Sequence, residues 1–149
     1  MPATEPATGV KHPAPHRSEV SGKVLVFAIA AAPVVWGIQV LLGYALASHA
    51  CFPREYPRPV LPQGWGGLPH ALLAVTAVAF VIAAVASFLG YRSWRKTAGE
   101  AGGGHKHLIE VGEGRTRFMA AWGLWIGALF AVALIFDALG LYLVSSCGG

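Results

Sequence analysis

The chain has 149 residues, of which 55% are hydrophobic and 12% charged, and 11 Lys and Arg against 7 Asp and Glu give a net charge of +4. Soluble domains carry about 25% charged residues, and a chain this short cannot cover three long apolar runs, so a soluble globular fold is excluded. The basic balance does not indicate nucleic acid, because no basic run is long or interleaved with aromatics. The two cysteines, Cys51 and Cys147, stand far apart and form neither a redox nor a zinc CxxC pattern.

Residues 1–23 are rich in Pro, Ala, Thr and His and poor in large apolar side chains, the composition of a disordered tail. The first apolar stretch, 24–49, is long enough to cross a bilayer and too long for a signal-peptide core, although Ala45-Leu46-Ala47 imitates a cleavage site. Pro33 lies within it, where a missing backbone donor is expected to kink the helix. Gln39, Gly43 and Ala47 follow at intervals of four, one polar and two small residues on a single face, a pattern that lets helices approach and an amide bond across.

Residues 50–69 hold several prolines and glycines, which predicts a stiff irregular strap along the membrane surface, with Tyr56 and Trp65 in the headgroup region. The second span, 70–91, is mostly Ala and Val, with Ala79, Ala83 and Ser87 or Gly90 forming a small-residue face. Tyr91 and Trp94 anchor its end beside Arg92, Arg95 and Lys96. The loop 92–117 is basic and includes a flexible Gly102-Gly103-Gly104 run and the weak metal pattern His105-Lys106-His107, which lacks further ligands.

The third span, 118–145, carries a single charge, Asp137, and a small-residue ridge of Gly123, Gly127 and Ala131 at intervals of four. Residues 146–149 close the chain. The fold class is therefore an all-α membrane protein of three transmembrane helices, since nothing alternates with the period of a barrel strand.

Orientation follows from charge. The tail and the 92–117 loop hold nine basic residues, Lys11, Arg17, Lys23, Arg92, Arg95, Lys96, Lys106, Arg115 and Arg117, whereas the first loop holds two, Arg54 and Arg58. The positive-inside rule places the N-terminus in the cytoplasm and, after three spans, the C-terminus outside. Cys51 and Cys147 then share the outer face, the oxidising periplasm if the host is a bacterium, where a disulfide persists. A structural disulfide is the leading reading; unpaired thiols and a catalytic or metal-binding dithiol are the others.

Asp137 lies ten residues before Cys147 and Gln39 twelve before Cys51, about 15–18 Å below their cysteines at 1.5 Å per residue. A carboxyl at such depth costs about 2.5–3.5 kcal/mol on insertion scales and faces protein or water. It is expected either to relay protons or bind a partner, or to sit protonated and hydrogen-bonded to Gln39 or Tyr44. His49 and His70 lie at the ends of their helices, too near the surface for the usual intramembrane haem pair.

Three stretches, Trp36–Cys51 (WGIQVLLGYALASHAC), the GRTRF run ending at Phe118, and ALFAVALIFDALGLYLVSSC ending at Cys147, resemble small three-span proteins encoded beside cytochrome c oxidase genes in proteobacteria. In that group the first span likewise ends at a cysteine and the last at a C-terminal one; a Gln is common where this chain has Asp137, which is a departure. The resemblance covers about half of the chain and is carried by apolar helices. It implies a non-catalytic accessory subunit or assembly factor of a respiratory, electron-transport complex, a haem–copper oxidase, in a bacterial inner membrane. The expected partners are membrane lipid and larger membrane subunits, with no nucleic acid. No cofactor is expected on this chain alone, and haem is expected only in the partner complex. The alternatives are a redox or proton-handling component using Cys51, Cys147 and Asp137, and an oligomeric small transporter.

Overall fold

The computed structural model describes residues 20–53, 56, 58–98, 115–144 and 147, and the account below concerns these. They form three helices, α1 (Gly22–Cys51), α2 (Leu68–Lys96) and α3 (Arg115–Leu143). Each is long and apolar enough to cross a membrane; thirty residues of helix span about 45 Å. Large apolar side chains are exposed on every helix, among them Leu41, Val78, Val81, Leu129 and Phe136. Helices apolar all round belong in a hydrocarbon solvent rather than water.

All three helices begin before the expected spans, and the first two also end beyond them. α1 continues through Pro33 without interruption and reaches Cys51. α2 starts at Leu68 with a proline in its first turn, where the ring's missing N–H leaves no helical bond unmade. It then runs past Tyr91 through Arg92 to Lys96. Cationic side chains in a last turn complement the partial negative charge of the helix end, so the polar flank extends α2. α3 takes in Arg115, Thr116 and Arg117 and ends at Leu143, two residues short of the expected limit.

The expected tail also ends earlier than residue 23. Val20 is buried and packs with Leu25, Ala120 and the ring of Trp94. Further along the bundle, Ala32, Ala79, Ala83 and Leu134 form a central layer with Trp36 and Phe130 against it. At the opposite end, Ala50, Cys51, Leu68 and Leu72 pack under Leu61, Trp65, Leu141 and Cys147. The order of these layers makes α1 and α3 parallel and α2 antiparallel to both.

The Pro-rich connection turns back on itself. Arg58 donates its backbone N–H to the Cys51 carbonyl at 2.8 Å, and Trp65 donates to the Pro62 carbonyl at 3.0 Å. The second bond closes a β-turn whose third residue is Gly64, at φ +98°. A left-handed third position favours glycine because a Cβ would crowd the backbone there. The turn drops Trp65 onto the end of the bundle, 5.9 Å from the His49 ring. The Gly102–Gly104 run and the His105-Lys106-His107 pattern lie outside the described residues.

Candidate functional site: a polar cleft between the first and third helices

The third helix holds the bundle together through its glycines. A Cβ at Gly123 would stand 2.9 Å from the Ala28 Cβ of α1, and one at Gly127 would stand 2.7 Å from the Ser87 backbone nitrogen of α2. Gly90 faces the same seam from α2; a Cβ there would collide with the backbone of Leu124 and come within 2.8 Å of the Gly123 carbonyl carbon. Small residues at intervals of four let backbones approach this closely, the means of association open to apolar helices in lipid. The close approach brings the Ser87 hydroxyl within 3.0 Å of the Leu124 carbonyl, to which it donates. Ala131, the next small residue of the α3 ridge, is half-buried against the central layer.

α1 and α3 behave differently toward the disulfide end. They touch at Ala28 and Gly123 and again where Trp36 packs against Phe130, ring centroids 5.4 Å apart. They are joined at the end by the Cys51–Cys147 disulfide, which links the two cysteines across 96 positions of sequence. Between these points lies an open cleft of about 370 Å³. Its α1 side carries Gln39, Gly43 and Ala47, and its α3 side Asp137, Gly140 and Val144.

The face of α1 expected to meet another helix is therefore not packed along its length. A Cβ added at Gly43, or at Gly140 opposite, would meet nothing within 4 Å. Gly43 and Ala47 line one side of the cleft, and no described residue fills the space against Gly43. Only Gln39, at its inner end, is buried.

The two intramembrane polar residues line the same cleft, yet neither bonds to the other. Asp137 accepts a hydrogen bond from the indole N–H of Trp36, Nε1 to Oδ2 at 3.0 Å. This replaces the expected partners, Gln39 and Tyr44; the Tyr44 side chain is exposed. Gln39 donates from Nε2 to the Thr76 hydroxyl of α2 at 3.1 Å, and that hydroxyl donates in turn to the Leu72 carbonyl at 2.9 Å. The amide is thus oriented by a hydroxyl whose own proton is already used. The remaining amide oxygen, Gln39 Oε1, is buried with no hydrogen-bond partner among the described residues.

Trp36 and Thr76 were not singled out by sequence. A signal existed for the first: tryptophan favours the interfaces, whereas Trp36 stands at the middle of α1, three positions from Gln39 on the same helical face. Thr76 carries no signal beyond being polar inside an apolar span. Comparison with known protein families, curated proteins and solved structures finds no match to this chain.

The other expected sites stay apart. His49 and His70 are both exposed. Among the described residues, no three His, Cys, Asp or Glu side chains gather in a manner that would hold a metal ion. At the opposite end of the bundle, Arg117 lies over the Trp94 ring at 5.3 Å and donates to the Ala98 carbonyl at 2.8 Å. Arg95 lies 6.0 Å from the centre of the Tyr91 ring. The Arg117 contacts tie the start of α3 to the end of α2, and all three match the position of aromatic and basic anchors at a membrane surface.

Proposed function

We propose that the protein is a non-catalytic accessory subunit or assembly factor of a larger membrane complex, a haem–copper cytochrome oxidase being the complex to test first. The observation that carries the reading is the packed centre of the bundle. Ala32, Ala79, Ala83 and Leu134 are in mutual contact there with exposures of 0–1%, so at that level the three helices pack directly on one another. A three-helix bundle whose interior is filled by alanine, leucine and glycine has its outer faces to work with, and outer faces in a membrane bind lipid or other helices. The oxidase, as the particular partner, rests on the resemblance of Trp36–Cys51, the GRTRF run and the α3 sequence.

The same reading sets the N-terminus in the cytoplasm of a bacterium and the disulfide on the periplasmic side of the inner membrane. The distribution of nine basic residues against two supports it, as does the persistence of a disulfide in an oxidising compartment.

The test is purification from native membranes in mild detergent, with mass spectrometry and a visible spectrum of whatever accompanies the chain. Oxidase subunits in stoichiometric amount with haem a absorption are the expected result. Recovery of other membrane subunits would keep the accessory role and remove the oxidase. A colourless homo-oligomer that carries flux in liposomes would replace the reading with a transporter.

A further inference from the structure

We infer that the cleft between α1 and α3 is the docking groove for one transmembrane helix of a partner protein, which brings a hydrogen-bond donor to Gln39 and Asp137. The inference rests on the accessory reading and names the surface and the chemistry through which it operates.

Four observations carry it. The Gln39 side chain, 8% exposed, lines the cleft, and its buried Oε1 has no hydrogen-bond partner among the described residues. An unmet acceptor in a water-free medium calls for a donor. Asp137 lines the same cleft and, among the described residues, its one hydrogen bond is to Trp36, which engages Oδ2. The site therefore presents acceptors from both walls, an arrangement complementary to a Lys, Arg, Asn, Gln, Ser or Thr side chain.

Gly43 and Gly140 form the third observation. The glycines of the α2–α3 seam touch backbone, but these two face open space across the cleft. Together with Ala47 they offer an incoming helix the close approach that Gly90, Gly123 and Gly127 already provide inside the bundle. The fourth is shape. Ligand pockets for small molecules enclose most of their guest, whereas this cleft is an open trough walled by α1 and α3 with Leu72 of α2 between them. A second copy of the chain is a poor occupant, because a two-fold pairing of identical clefts would set acceptor against acceptor.

The experiment places a photoreactive benzoylphenylalanine at Phe136 or Val40, exposed residues lining the cleft, and at Val81 or Trp125, exposed residues that do not line it. Cells are irradiated intact and the adducts are mapped by mass spectrometry. The expected result is a protein adduct from the cleft positions alone, mapping to a membrane-spanning segment with a donor side chain at the level of Asp137. Gln39→Leu should lower its yield by roughly threefold or more, the worth of one interhelical hydrogen bond. Restoring the amide with Gln39→Asn should recover part of the yield.

Adducts with lipid only, or with a second copy of this chain, would overturn the inference. A partner that copurifies but crosslinks from Val81 or Trp125 and not from the cleft would overturn it while leaving the accessory role standing. Absence of any protein adduct together with absence of any copurifying subunit would remove both.

Discussion

The α2–α3 seam and the α1–α3 cleft use the same residue types to opposite ends. Both are lined by glycine and alanine at helical spacing. In the seam, Gly90 and Gly127 bring backbones together, and a hydroxyl bonds across the contact. In the cleft, Gly43 and Gly140 face nothing, and an amide oxygen goes unpaired. Small residues permit close approach but do not by themselves create it; the neighbour has to be present. In the seam the neighbour belongs to this chain. In the cleft no described residue takes that place.

The comparison can be broken most forcefully at the disulfide, which joins the two helices that wall the cleft. Replacing Cys51 by Ser should lower stability by about 2–4 kcal/mol, the usual worth of a bond closing a long loop. The figure is expected near the low end, since the membrane already restricts the unfolded chain. Unfolding of wild type and variant in detergent, with and without reductant, measures it. Equal stability in all four conditions would show that the helices hold that end unaided.

The seam itself is next. Gly90→Ala adds one methyl group against the backbone of Leu124, and overpacking of this kind costs about 1–3 kcal/mol. The same change at Gly43 should be neutral or stabilising, by no more than about 1 kcal/mol, because alanine is the better helix former and the space is open. Measured side by side, the pair isolates packing from propensity. Equal effects at the two positions would erase the distinction between seam and cleft.

Trp36→Phe should have a smaller effect. It removes the indole N–H that bonds Asp137 and retains a ring against Phe130. Interhelical hydrogen bonds in membranes average about 0.6 kcal/mol. Tryptophan fluorescence cannot isolate this change among five tryptophans, so the measurement is again unfolding, paired with the Asp137→Leu variant, which has no acceptor. A loss for Trp36→Phe that persists in the Asp137→Leu background would mean that ring packing, not the hydrogen bond, is responsible.

The smallest expected effect is that of Gln39→Leu on the isolated protein. The substitution removes a buried acceptor that nothing satisfies, and the Thr76 hydroxyl keeps its bond to the Leu72 carbonyl. Stability should change by under about 1 kcal/mol, since the lost bond from Nε2 to the Thr76 hydroxyl is offset by removal of the unpaired, buried Oε1. A marked loss would show that the Gln39–Thr76 bond at 3.1 Å matters more to α1–α2 association than the unpaired oxygen suggests.

Much of the architecture was legible in the sequence because it depends on local properties. Length and apolarity determined three helices, since a span must satisfy its own backbone wherever it sits in lipid. The spacing of Gly123, Gly127 and Ala131 determined a ridge on α3, and the place of Cys51 and Cys147 at the ends of two spans made their pairing the leading reading. What only the tertiary structure decided was which small face meets a neighbour and which polar groups meet one another. Spacing puts Gly43 beside Gln39 and Gly127 beside Gly123, but it carries no information on which side chain of another helix each one meets. The packing of the three helices sets Asp137 against Trp36 and Gln39 against Thr76, and it leaves Gly43 facing open space.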